Sequence, residues 1–403
     1  MQSLNKDKIE NVGLNGKLLI LTFFIFNAVF LPPPLLWINF LSVFYVFKVL
    51  NSKSVFILIV FVLLLGLFSA IHFYNGVDIE SYRNSSLIYI LVAYTAITAR
   101  VYLVNNSIKF DAFYKLIVKY NFVLYIVGLF LYFLDIPSKV FIVYNYEEGG
   151  LPRMRGLLYE PSFYAYLLTP WIIYAMLKNI KSKANKSDLK YFILLVIPFV
   201  STASIGVVSA LFMALGVVGF LRVFSYMKLN RKVVIVTASV FFALIITVLL
   251  YPEIILSRVV SILNGEDGSA NQRTIGSLDV SYQIMKEKST LFGIGSGQIK
   301  IIGNDIFNNY FNYQKSNIAR IPNAIGETMT IFGFVGLTIR LFIQFIIFIY
   351  YKVYNNNYLL ALFLFLFIYQ FTGSFITSTI EYIFWLLLTI PVFREFKFGH
   401  NRS

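Results

Sequence analysis

The chain has 403 residues, 58% of them hydrophobic and 13% charged, with 34 Lys and Arg against 19 Asp and Glu for a formal charge of +15. The charged share is about half of what soluble domains carry, and a soluble chain of this length has too little interior to hide so much apolar surface. The absence of cysteine excludes disulfides and thiolate metal sites, and His72 and His400 lie in no metal-binding pattern, so no metal or other cofactor is expected. The composition instead predicts an all-α polytopic transmembrane helical bundle, a single integral membrane domain over residues 1–403. The basic excess is then to be read against membrane topology before any nucleic-acid partner is considered, and none is expected.

In chain order the apolar runs are Lys17–Leu31, Leu35–Leu50, Ser54–Phe73, Ser86–Val104, Lys115–Leu134, Phe163–Leu177, Leu189–Thr202, Gly206–Phe224, Lys232–Tyr251, Ile325–Tyr351, Tyr358–Phe371 and Ile380–Phe393. They predict about twelve spans. Pro32, Pro33 and Pro34 divide the first two runs, because a helix interior does not absorb three residues lacking N–H donors; one long kinked helix, giving about eleven spans, is the alternative. The first run lacks a small-residue cleavage site and is read as a retained span.

The basic residues test this count. Lys178, Lys181, Lys183, Lys186 and Lys190 crowd the link between the sixth and seventh runs against a single Asp188, which marks that loop as cytoplasmic. Alternation then puts Lys6, Lys8 and Lys17, Lys48 and Lys53, Lys109 and Lys115, Arg222, Lys228, Arg231 and Lys232, Lys352, and Arg394, Lys397 and Arg402 on the same side. Both termini are expected in the cytoplasm. The lysine loop attracts anionic lipid headgroups with little specificity.

Two segments fall on the external face. The first, 135–160, ends in Arg153, Arg155, Gly156 and Glu160, with Pro161 and Ser162 behind. A carboxylate followed by proline suits an ordinary helix start, but two arginines and a glutamate so close to the hydrocarbon need partners or water, which favours function. The second, 252–324, is about 70 residues, far longer than a connection needs. Within it Ser269 and Gln272 have capping-box spacing, and Ile275, Leu278, Tyr282 and Met285 recur at helical spacing. They predict one amphipathic helix over Asn271–Lys288, bearing Arg273 near its start, that lies on the membrane or roofs a cavity. Gly293, Gly295 and Gly297 follow as a turn or a weak phosphate nest. The segment closes on Arg320, Pro322, Asn323 and Glu327; Asn323 and Glu327 either share a helix face at the external mouth or act as cap and first-turn carboxylate.

Arginines at an external mouth suit an anionic ligand, since the guanidinium fork matches phosphate oxygens, and carboxylates beside them suit a base or a hydroxyl-binding group. The stretches RMRGLLYEPSFYAYLLTP (153–170), STASIGVVSALF (201–212), NQRTIGSLDVSYQIMKEKSTLFGIGSG (271–297) and RIPNAIGETMTIFGFVGL (320–337) resemble the bacterial polymerases of O-antigen and capsular or exopolysaccharide repeat units, relatives of the O-antigen ligases. The resemblance spans the C-terminal three-fifths of the chain. It implies a metal-independent membrane glycosyltransferase at the outer face of the bacterial inner membrane. Its donor and acceptor would be undecaprenyl-diphosphate-linked oligosaccharides, and its protein partners a chain-length regulator and a flippase.

By the same resemblance Arg273 engages the diphosphate together with Arg153, Arg155 and Arg320, and the three glycines shape the loop beneath. Glu160, then Glu327, then Glu381 are the candidates for the carboxylate that orients or deprotonates the acceptor hydroxyl. Related ligases carry a histidine where this chain has Asn323. A lipid-linked oligosaccharide flippase or other transporter is the rival from another class, a ligase the nearer one, and a non-catalytic scaffold or sensor the third.

Overall fold

The structure is a computed structural model that describes residues 16–17, 19–20, 52–134, 142–144, 152–158, 160–181, 186–225, 268–311, 320–373 and 376–397. The apolar stretches at 21–31, 35–50 and 232–251, with the proline triplet, lie outside these residues, as do Lys6, Lys8, Lys48, Lys228, Arg231 and Arg402.

The described residues form an all-α bundle. In chain order the helices are α1 (Ser52–Tyr74), α2 (Ile79–Asn105), α3 (Phe110–Phe133), α4 (Pro161–Lys181), α5 (Lys186–Val200), α6 (Ile205–Ser225), α7 (Gly268–Arg273), α8 (Ile275–Lys286), α9 (Gly303–Tyr310), α10 (Ala324–Tyr350), α11 (Asn357–Tyr369) and α12 (Thr379–Leu387). One small antiparallel ribbon, β1 (Ile142–Tyr144) with β2 (Pro152–Met154), stands in the first loop, in the register Ile142 to Met154.

Local signals set several of these boundaries. Asp78 caps α2, its carboxylate accepting from the Ser81 amide at 2.9 Å. Asn356 caps α11 through the amides of Tyr358 and Leu359, and Asn323 caps α10 through Gly326 at 2.6 Å. Pro161 opens α4, where a missing N–H costs nothing.

Among the described residues four helices, α1, α2, α3 and α10, are long and apolar enough to cross a membrane; Ile205–Leu221 within α6 and α11 are shorter apolar helices. At 27 residues, α2 and α10 each reach about 40 Å. Leu63 and Leu67 on α1, Val123 and Phe130 on α3, and Phe342 and Phe345 on α10 all face outward. Such continuous apolar exposure is stable when lipid is the solvent and points to membrane association.

Behind that surface the core is aromatic. Trp171, Tyr164 and Tyr166 of α4 pack with Phe365 of α11, Phe384 of α12 and Phe393. The pairs α2 with α12, α4 with α5, and α6 with α11 make the principal helix contacts.

The lysines gather at one end. Asp111 at the start of α3 pairs with Lys115 at 3.0 Å and with Lys178 near the end of α4, and Lys178 reaches Asp188 at the start of α5 at 3.1 Å. Asn356 donates to the Phe393 carbonyl and bridges to Lys397, while the Phe393 ring lies 5.0 Å from that of Phe110. Lys109, Lys352 and Lys397 therefore share that end with the lysines flanking the α4–α5 link.

Two sequence expectations change. The helix expected over Asn271–Lys288 is two, divided at Thr274, and α7 begins at Gly268, ahead of the expected cap. The expected apolar stripe is also only partly the buried face. Ile275 is 77% exposed and Tyr282 faces outward, Met285 is buried as expected, and Gly276, Ser277, Val280, Ser281 and Ile284 complete the buried side, which packs on α10 and the neighbouring loop. Small residues win that face because α10 comes close: a Cβ on Gly326 would stand 2.8 Å from the Ser281 hydroxyl.

Candidate functional site

The end opposite the lysines holds most of the residues singled out from the sequence. Arg273, the last residue of α7, pairs through Nη2 with Glu160 Oε2 at 2.6 Å. Both side chains are partly exposed, at 30% and 24%, so solvent reaches the pair and its net contribution to stability is small.

Glu160 immediately precedes α4, and its carbonyl accepts from the Phe163 amide at 3.1 Å. The residue is both a helix-start residue and an ion-pair partner.

Asn323 explains how Arg273 is held. It is fully buried, and while Oδ1 caps α10, Nδ2 donates to the Arg273 carbonyl at 2.7 Å, to the Ser277 hydroxyl and to the Phe371 carbonyl at 3.2 Å. Two amide hydrogens are shared among three acceptors. In an unbroken helix the Arg273 carbonyl would accept from within the helix; Asn323 takes that place at the division between α7 and α8. The cap reading of Asn323 is what the structure shows, with tethering of the arginine segment added to it.

Glu327 lies one turn into α10 and is buried. Its Oε2 accepts from the Ile376 amide at 2.8 Å, and Arg320 and Arg340 both act on it electrostatically. Arg320 itself is exposed just before α10.

Arg153 of the first loop sits against the α5–α6 turn. Arg153 on β2 donates through Nε to the Thr202 carbonyl at 3.1 Å, and the neighbouring Met154 amide donates to the Ser201 carbonyl at 2.9 Å. Arg155 is buried. Gly156 follows with φ +58, its position packed on the Tyr164 ring.

The three glycines have a structural task. Helix α10 is broken at Gly333 (φ 65, ψ −165). The carbonyls of Thr330 and Ile331, released by the break, accept from the amides of Ile294 and Gly295 at 3.0 and 3.1 Å. Beyond the break the amides of Phe334 and Val335 donate to the carbonyls of Thr290 and Leu291 at 3.1 and 3.0 Å. Residues 290–295 thus satisfy both sides of an interrupted helix inside an apolar bundle, where an unpaired backbone group is costly.

Only glycine fits these contacts. A Cβ on Gly293 would lie 2.5 Å from the Ile331 backbone, one on Gly333 2.3 Å from the Leu291 carbonyl, and one on Gly297 2.4 Å from the Ser81 carbonyl. The Ile294 and Gly295 amides are committed to α10, so the turn reading of this segment carries more than the nest reading.

Glu381 stands apart from the Glu160–Arg273 pair. It is buried at the start of α12, with Oε1 accepting from Arg340 Nη2 at 2.6 Å and from Trp385 Nε1 at 3.0 Å, and Oε2 from the Tyr166 hydroxyl at 2.7 Å. Arg340 was not singled out by sequence. The signal was there: one arginine in a 27-residue apolar helix, with Gln344 one turn on.

No group of three or more His, Asp or Glu that could hold a metal ion occurs among the described residues. Comparison with models of known protein families gives no match for this chain, and comparison with curated proteins gives none either.

Proposed function

We propose that this chain is a membrane glycosyltransferase that polymerises undecaprenyl-diphosphate-linked oligosaccharide repeat units into O-antigen or capsular or exopolysaccharide. The observation that carries the reading is the Glu160–Arg273 pair, partly open to solvent and tethered by buried Asn323, at one end of an apolar bundle and opposite the lysines. In this reading the chain crosses the bacterial inner membrane about twelve times with both termini and the lysine end in the cytoplasm, and the Arg273 end faces outward.

The chemistry is a substitution at the anomeric carbon of the donor. The acceptor hydroxyl oxygen forms the new bond, the bond from carbon to the diphosphate oxygen breaks, and the hydroxyl proton passes to a carboxylate. Arg273, with Arg153, Arg155 and Arg320, neutralises the departing diphosphate, which is already a competent leaving group. Glu160 is the first choice for the carboxylate and Glu327 the second. A glycosidase-type acid is not needed, because diphosphate leaves without strong protonation.

Purified protein in proteoliposomes, supplied with lipid-linked repeat units, tests this. Wild type should build a glycan ladder, and Arg273→Ala at normal expression should lose transfer while still retaining the lipid. Near-normal ladder length and rate in that variant would remove Arg273 from the mechanism.

A flippase is the second reading, favoured by two particular features: a buried charge pair, Arg340 with Glu381, and a helix interrupted at Gly333, both frequent in transporters. Translocation of unpolymerised units without ladder growth would decide for it. Transfer to a different acceptor in the same assay would decide for a ligase.

A further inference from the structure

The ion pair of Arg340 with Glu381 is 12% and 2% exposed, and it ties together four helices. Arg340 leaves α10 beyond the Gly333 break. Its Nη2 meets Glu381 on α12, its Nε donates to Gln370 Oε1 at 3.0 Å just past α11, and its Nη1 reaches back across the break to Thr328 Oγ1 at 3.4 Å.

Gln344 and Gln370 exchange amide hydrogen bonds at 2.8 and 3.0 Å beside it. Glu381 completes the network through the Tyr166 hydroxyl on α4, and the Tyr166 ring stacks on Tyr369 at 5.0 Å.

These contacts lie directly beneath the candidate site. Tyr166 is about 9 Å along α4 from Glu160, and Thr328 about 8 Å along α10 from Asn323. Glu160 and Asn323 both hold Arg273, one by its side chain and one by its carbonyl. A single buried carboxylate therefore links the helix that presents Glu160 to the helix that presents Asn323 and Glu327.

A buried ion pair is a poor way to gain stability, because both charges lose water and an apolar filling of similar volume packs as well. What apolar side chains lack is direction. The bonds that cross between helices, from the Tyr166 hydroxyl and from Arg340 to Glu381 and from Arg340 to Gln370, fix rotation as well as separation, while Trp385 and Thr328 hold the two side chains in place from their own helices.

We propose that Arg340 and Glu381 are positioning residues, which set the spacing and rotation of α4 against α10 and so the alignment of Glu160, Arg273 and Asn323. Glu381 acts through Tyr166 and Arg340, and it does not touch the substrate. Its effect on sugar transfer rests on the polymerase reading; its effect on the geometry of the helix ends does not.

The test uses the full chain, whose lack of cysteine allows two labels to be placed cleanly. Leu157→Cys ahead of α4 and Ile275→Cys at the start of α8 carry spin labels, and pulsed electron paramagnetic resonance reads the distance between them in lipid nanodiscs. The backgrounds are wild type, Arg340→Gln, and the double variant Arg340→Met with Glu381→Met, which removes both charges together and is expected to fold, with a somewhat lower melting temperature because the buried Tyr166 hydroxyl and Trp385 indole lose their acceptor.

The expected result is one narrow distance in wild type and a shifted or broadened distribution in the folded double variant, recorded well below its melting temperature. Since misplacement of reacting groups by about 1 Å costs on the order of 100-fold, transfer in the double variant should fall at least tenfold in kcat with KM little changed.

A wild-type distance distribution in the folded double variant overturns the proposal, whatever the activity. So does its failure to fold, which would make the pair a plain stability element. Absence of transfer in wild type itself would strike the polymerase reading and leave the distance result standing.

Discussion

Replacing Asn323 by Asp separates its two tasks. The carboxylate still accepts from the Gly326 amide, so the cap of α10 survives. The atom in the place of Nδ2, however, becomes an oxygen facing the Arg273 carbonyl and the Phe371 carbonyl, with only the Ser277 hydroxyl able to turn and donate. Two buried carbonyls lose their donor at about 1–2 kcal/mol each, and a charge enters a site that excludes water, so about 3 kcal/mol is a modest total.

Asn323→Ala loses the cap as well, at about 1 kcal/mol, but introduces no charge. Asp, a good capping residue, should therefore be at least as damaging as Ala. Hydrogen exchange read by mass spectrometry over 271–286 measures it: about 3 kcal/mol of lost local protection is on the order of 100-fold in exchange rate. Thermal unfolding of the whole bundle should move less, because the change is local. Wild-type protection of 271–286 in Asn323→Asp would refute the tether, and with it the account of how Arg273 is held.

Three further outcomes are expected. Gly333→Ala should cost about 1–3 kcal/mol or more, since φ 65 is unfavourable for alanine and the new Cβ would collide with the Leu291 carbonyl; a melting temperature equal to wild type would mean that the break is not as described. Gly297→Ala should raise exchange in both 293–301 and 79–85, because its Cβ would push against the Ser81 carbonyl; a change confined to one segment would argue against their packing.

Asp78 gives the pH case. The Ser81 amide, by a backbone hydrogen bond, holds its carboxyl below the ordinary value, so its support of the α2 start is full above the ordinary carboxylate range and fades as pH falls through the lowered value. Asp78→Asn keeps an acceptor and should remove this acid dependence of exchange at the start of α2; an unchanged acid profile would assign the dependence to another group.

The sequence was most legible where the information is local. Lipid as solvent requires long apolar runs, so the runs at Ser54–Phe73 and Lys115–Leu134 fall on α1 and α3 to within about five residues. Caps and prolines are local as well, which is why Pro161 and Asn323 mark the starts of α4 and α10.

The seventh and twelfth runs were harder to read. Leu189–Thr202 corresponds to α5, which carries Pro198, and α12 ends at Leu387, before a short tighter turn over 391–396. Apolar composition alone does not say where a helix yields to irregular backbone.

By itself the sequence determined an apolar helical chain, the residue types at its charged ends and the basic loops that share one end of the bundle. Only the tertiary structure decided which of those residues meet. Glu160 and Arg273 are 113 positions apart, and Arg340 and Glu381 are 41 apart. Charge pairs at such separation leave no periodicity to read; packing brings them together.

The face of α8 was decided in the same way. Small residues bury where a neighbour comes closest, and the larger Ile275 and Tyr282 turn outward. The break at Gly333 is a tertiary decision too, since a glycine within an apolar helix is interrupted only where another segment, here 290–295, supplies the hydrogen bonds that the helix gives up.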